Sequence, residues 1–292
     1  MKGFKKYTTV SALVAALVIG FPAQALAVTT VELGTADSFA VLAGTEVTNV
    51  PTSAITGDVG LSPGAGSSYD AGVTQAQVDG TIYAVDGTGP AGSVEDPALL
   101  TQAKADLVTA YDDAAGRTPT DTFVAGDNQL GGQTLTSGVY AFGHATTANI
   151  VGTLTLSGGA NSVFIFQASS DLVTASSSVV DLIGGVKACN VFWQVDSSAT
   201  LGTDSVFVGN IMALTAITVN TGATIEGSAL ARNAAVTLDQ NVITDSACAA
   251  VVPPDSGSGS GSDSSALGSD TGSLAVGDIV PGLPNAGAGP RE

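Results

Sequence analysis

The chain is poor in the side chains on which acid–base, thiol and metal chemistry rely. Its 292 residues hold one histidine, two cysteines and eight Lys or Arg. Cys189, Cys248 and His144 cannot complete the four-ligand set of a structural zinc site, so neither a metal nor a cofactor is expected. The eight basic residues face 26 acidic ones, a formal charge of −18. That balance repels phosphate backbones and anionic membrane surfaces, which argues against nucleic acid as a partner. Long hydrophobic runs are also scarce. The one that opens the chain, residues 10–20, falls well short of the roughly 20 residues that a membrane span needs.

With Lys2, Lys5 and Lys6 before it and Ala25-Leu26-Ala27 after it, that run has the order of a secretory signal. Cleavage after Ala27 leaves five basic residues against 26 acidic ones, a charge of −21. The mature protein is expected outside the cell, with no membrane insertion. In such a compartment Cys189 and Cys248 are expected to pair. Closing a loop of about 60 residues stabilises a fold by roughly 4 kcal/mol on the chain-entropy model.

At the other end, residues 251–292 change to Gly, Ser, Asp and Pro and read as a linker and tail. Within them Leu283-Pro284-Asn285-Ala286-Gly287 resembles the Leu-Pro-x-Thr-Gly signal that sortases join to Gram-positive walls. Ala286 stands in the threonine position, and no apolar segment and basic tail follow it. A weak association with a bacterial cell wall is the most that this segment implies. The folded domain is expected over residues 28–250.

One stretch has helical spacing. Asp96 suits an N-cap and Pro97 the first turn, Leu100, Lys104, Leu107 and Tyr111 follow at steps of three and four, and Gly116 suits the C-terminal cap. A helix over residues 96–116 is about 30 Å long. Lys104 lies on the apolar stripe and is expected to lay its stem on the core with its ammonium in water.

The rest is short β-branched segments divided by Gly, Ser, Asn and Asp. Three segments in fixed order recur from residue 190 to 244, and Thr200, Thr218 and Thr237 recur with them at steps of 18 and 19 residues. Looser copies occupy 138–159, 162–185 and 38–61. A period of that size suits the coils of a three-sided β-solenoid, none of which can bury its inner face alone. The first segment of each coil is continuously apolar, as in Val191-Phe192-Trp193, and so is expected to be covered on both sides. The helix is the obvious cover, and at about 4.8 Å per strand it spans about six coils. The second segment alternates. Ala199 and Leu201, Ile217 and Val219, and Val236 and Leu238 point inward, so Thr200, Thr218 and Thr237 form an outward column on a flat, wet face.

The stretches Leu33-Gly34-Thr35-Ala36-Asp37-Ser38-Phe39, Ile55-Thr56-Gly57-Asp58-Val59-Gly60-Leu61-Ser62-Pro63-Gly64, Ala110-Tyr111-Asp112-Asp113-Ala114, Cys189-Asn190-Val191-Phe192-Trp193 and Ala229-Leu230-Ala231-Arg232-Asn233 resemble the family of bacterial and fungal ice-binding proteins. They follow one another over nearly the whole domain. The resemblance implies a mainly β fold, a right-handed discontinuous β-solenoid of triangular section. A long α-helix would lie alongside, with a capping insertion at residues 64–95 between the first coil and the helix. It also implies ice as the partner, bound by one flat face. The family has no fixed ice-binding motif.

Ice offers neither charge nor pocket, so recognition requires a rigid extended surface that orders water. Threonine suits that task through a stiff χ1, a methyl group and a hydroxyl that both donates and accepts. Threonine is also simply a good residue for an exposed strand. The candidate contacts are Thr200, Thr218 and Thr237, extended by Thr174, Thr146 and Thr48, with Thr203, Asn220 and Thr221 near the strand ends. Asp239 is a poor contact, so the patch is expected to fade toward it. No catalytic residues are expected, because the repeated coils carry few charges and His144, Asp112 and Asp113 suit solvated positions. The expected function is adsorption to ice by a secreted monomer. The alternative is a surface adhesin or structural protein without ice activity, using the solenoid as a stalk.

Overall fold

The computed structural model describes residues 28–124, 128–246 and 248. The expected signal segment and the expected tail lie outside them. The short strands stack into three parallel sheets of ten, six and eight strands, designated A, B and C. Each coil in the middle of the stack gives one strand to each sheet. Coil 191–208, for example, runs through Val191–Val195 in A, Ala199–Leu201 in B and Val206–Val208 in C. Alternation along each strand sends Ala199, Leu201 and Phe207 into the prism that the sheets enclose.

Chain order and stacking order differ. The first coil, 39–56, leads into an insertion that adds Val78–Asp79 to sheet C and Ile82–Ala84 and Val94–Glu95 to sheet A. Helix α1, Pro97–Gly116, then carries the chain along sheet A, and the later coils stack back from 121 to 244. The last coil closes on the first, with Leu42 opposite Leu230, Thr48 opposite Thr237 and Ile55 opposite Ile243. The first coil is therefore sandwiched, and the solenoid is discontinuous.

Helix α1 starts where Asp96 accepts a hydrogen bond from the Leu99 N–H at 2.9 Å. It buries Leu100, Ala103, Leu107, Ala110, Tyr111 and Ala114 against Val139, Ile165, Phe192, Met212, Leu230 and Leu42, one residue from each of six successive strands of sheet A. Two local expectations are corrected. Lys104 keeps its ammonium out of bulk water, donating to the carbonyls of Ala231 and Arg232 at 2.7 Å each. Burial, with Arg232 adding to it, lowers its pKa to about 8. The cap is Arg117 and not Gly116, because the chain leaves in extended conformation while the guanidinium holds Asp113 and the Thr29 and Thr30 carbonyls.

The repeat is not constant along the stack. Phe166 and Trp193 are register partners 27 residues apart, whereas Trp193 and Ile211 are 18 apart. The extra residues lie at the corner between sheets C and A, in segment 184–190, where the smaller coils turn on single glycines. Gly209 and Gly227 stack there with φ of 111° and 140°, and a Cβ on Gly227 would stand 2.2 Å from the Gly209 carbonyl oxygen. Aromatic rings fill the prism along this part of the stack. Tyr140, Phe166 and Trp193 stack at centroid distances of 5.4 and 3.9 Å.

Two features of the same corner bear on stability. Cys189 and Cys248 form a disulfide, with Cα atoms 5.4 Å apart and a sequence separation of 59. Replacing both by alanine should lower stability by about 3 kcal/mol. Melting curves of the variant and of the reduced wild type, each set against the oxidised wild type, measure this loss, and a melting point equal to that of the oxidised protein would remove the disulfide from the stability argument. Further along the same corner Asp245 is half-buried, and burial together with the Asp37 and Asp58 carboxylates raises its pKa to about 6. The folded state thus binds a proton that the unfolded state releases between the two pKa values, and stability falls as pH rises through that window. Asp245→Asn should stabilise the protein by about 1 kcal/mol at pH 7, a figure reduced for partial exposure, and should make little difference at pH 4. A gain at pH 4 as large as that at pH 7 would contradict this assignment.

Candidate functional site

The three faces of the prism differ in what covers them. Helix α1 lies on sheet A. Sheet C is open but carries Asp181, Glu226 and Asp79 among its outward residues, in register with Thr155, Val208 and Thr56. Sheet B is open, and its outward column contains no charge.

That column runs through Asn149, Val173, Thr200, Thr218, Thr237 and Thr48, each in register with the next. All six are partly exposed, and the residues on either side of each point into the core. At about 4.8 Å per strand the column is about 24 Å long. A second column, two residues on along each strand, holds Val151, Ala175, Gly202, Asn220, Asp239 and Val50. Residues before the strands add Ser198, Ala216 and Ala235 at the centre, with Asp171 and Glu46 further out. The centre is therefore small and uncharged, and carboxylates stand toward its margins.

Buried polar groups hold the edge of this face where it turns into sheet C. Asn241, which is fully buried, donates to the carbonyls of Asn220 and Ala223 at 2.8 and 3.0 Å, and its Oδ1 accepts from the Asp239 N–H at 2.6 Å. Ser177, Asp204, Gly222 and Gln240 occupy this corner in successive coils, all with φ between 53° and 72°. A left-handed residue in each coil repeats the same turn, and the face stays flat. Thr221 donates its hydroxyl to Asp239, so it belongs to this edge. Thr203 is exposed at the same corner, and Asn220 is partly exposed beside Thr218.

Thr48, Thr200, Thr218 and Thr237 share one column. Thr174 and Thr146 do not belong to it. Thr174 is buried opposite Ile150, and its Oγ1 accepts the Gly202 N–H at 2.9 Å. Thr146 is buried in the turn before strand Ala148–Ile150. The reason is the longer coil step in this part of the stack, which shifts the outward position from Thr174 to Val173 and from Thr146 to Asn149. Strand alternation in Ala148-Asn149-Ile150 was the available signal for Asn149. For Val173 the run Leu172-Val173-Thr174 offers no polar contrast of the right phase.

Among the described residues no group of three or more His, Cys, Asp or Glu side chains is placed to hold a metal ion. Nor, among them, is any helix long and apolar enough to cross a membrane. His144 is exposed in a turn, Asp113 pairs with Arg117 at 2.6 Å, and Asp112 pairs with Arg232 at 3.3 Å.

Residues 41–244 match the family model described as ice-binding-like. The chain is 43% identical over 214 residues to an ice-binding protein of Flavobacterium frigoris, covering 73% of this chain and 76% of that one. It is 42% identical over 262 residues to an ice-binding protein of a Nostoc strain, covering 86% and 89%. The crystal structure of an ice-binding protein from an Antarctic biological consortium superposes with a TM-score of 0.66 at 39% identity, over 77% of this chain and 95% of that one. The chain belongs to the ice-binding-like family.

Proposed function

We propose that the protein adsorbs to ice through sheet B. The observation that carries this reading is the column Asn149, Val173, Thr200, Thr218, Thr237 and Thr48, uncharged and held in register along the middle of a face that the helix does not cover. Spacing of about 4.8 Å between coils and about 7 Å between outward columns makes the face a two-dimensional ruler. Threonine methyls order the water above them and the hydroxyls bond to it, while the stiff χ1 keeps the array from rearranging. Buried apolar and amide groups beneath supply the rigidity, so ordering the face costs little when water freezes onto it.

The reading is of a binding protein with no reaction to catalyse. Residues 1–27 support its export, the acidic surface supports a soluble monomer, and residues 251–292 support a spacer with at most weak wall association. Thermal hysteresis and ice recrystallisation of the purified protein test the proposal. Absence of both at high micromolar concentration would refute it and return the adhesin without ice activity.

A further inference from the structure

The described domain begins and ends at one place. The turn Ala188–Asn190 lies at the corner between sheets C and A, where the chain enters strand Val191–Val195. Cys248 is bonded to Cys189 in this turn, and its Sγ is 3.7 Å from the Asn190 Oδ1. The same Oδ1 lies 3.4 Å from the Thr30 hydroxyl that donates to it, and Arg117 donates to Thr29 Oγ1 at 2.7 Å and to the Thr30 carbonyl at 3.1 Å. Asn190 is itself buried and donates to the Ala160 carbonyl. Both ends of the domain are thus held at one turn, one through the Cys189 disulfide and the other through the Asn190 side chain.

The position of that point in the prism matters. With the sheets following in the order A, B, C along each coil, the corner between C and A is the edge opposite sheet B. Asn190 leads into the coil that carries Thr200, the third of six residues in the outward column of sheet B. The last strand, Val242–Thr244, lies three strands further along sheet C. The disulfide brings Cys248 to Cys189 at this corner, and so fixes the exit behind the column.

We propose that the domain is built to be held from behind. Whatever is joined to the chain beyond Cys248 leaves from the edge opposite sheet B, so the face stays free while the protein is attached. The protein then acts as a tether between an ice crystal and a large body carried on its C-terminal segment. This inference rests on the ice reading of sheet B.

The test uses the full chain in three forms: free, fused after Glu292 to a globular protein of similar mass, and biotinylated after Glu292 on streptavidin beads. Molar thermal hysteresis of the fusion should equal that of the free protein or exceed it. Capture of the beads by growing ice should be about tenfold or more above that of uncoated beads, since many copies on one bead act together. An active free protein whose fusion loses more than half of its activity, or whose beads are rejected by ice, overturns the tether and leaves the ice reading standing. An inactive free protein overturns the ice reading, and the tether falls with it. A measurement without ice checks the exit itself. A photo-crosslinking amino acid at Val251 should label peptides containing residues 28–33 or 184–190, and labelling of 198–203 or 216–221 would place the exit on sheet B and refute the proposal.

Discussion

Thr218→Tyr is expected to abolish thermal hysteresis and to leave the fold intact. Thr218 lies in the middle of the outward column, with Thr200 and Thr237 as its register partners on either side. A tyrosine ring there stands above its neighbours and breaks the plane on which water is ordered, so the loss is expected to exceed that from removing one hydroxyl. Stability should hardly change, because the site is partly exposed and tyrosine is a good strand residue. A surface change of about 0.5 kcal/mol shifts the melting point of a domain of this size by about 2 °C or less. Val206→Tyr is the matched control, being 45% exposed on sheet C. It should keep full activity. If Thr218→Tyr stays active and Val206→Tyr does not, the ice contact belongs to sheet C.

Trp193→Ala is expected to lower stability by about 4–5 kcal/mol, enough to move the melting point by about 10 °C. Trp193 is 1% exposed, stacks on Phe166 at 3.9 Å with the rings 11° apart, and meets Phe207 at 5.0 Å. Its Nε1 donates to the Val208 carbonyl at 3.0 Å, so truncation leaves both a cavity and an unpaired buried acceptor. Trp193→Phe keeps a ring in the stack and loses the hydrogen bond, at a cost of about 1–2 kcal/mol. Circular dichroism melts of the two variants separate these contributions. Equal losses in both would assign the stabilisation to the hydrogen bond and not to the stack. Ice activity measured well below the melting point should survive in both, since the ring is inside the prism and sheet B is across the core.

These two variants rest on different kinds of information. Thr218 stands in a stretch where the coil step stays at 18 or 19 residues, so alternation of Ile217, Thr218 and Val219 was enough to send its side chain outward. The cover on sheet A was equally readable, because an unbroken apolar strand such as Val191-Phe192-Trp193 has no face that tolerates water. The helix beside it carried its own cap and stripe, both local features. Thr174 shows where such reading stops. Its distance from Thr200 depends on how many residues the intervening corner uses, and corner length leaves no periodic mark in the sequence. A shift of one position exchanges inside for outside, which is why Val173 holds the place expected for Thr174.

Local pattern determined the solenoid, the helix and the polarity of each strand, because each depends on residues within about one coil of one another and on whether they tolerate water. The tertiary structure decided what depends on contacts between distant segments. It set the closure of the last coil on the first, which brings Thr48 beside Thr237 across most of the chain. It recruited Asn149 and Val173 to the column and withdrew Thr146 and Thr174 from it. It also joined both ends of the domain at the turn Ala188–Asn190, behind sheet B. Such pairings form only when the whole stack is assembled, since no single coil has the buried area to specify its neighbour.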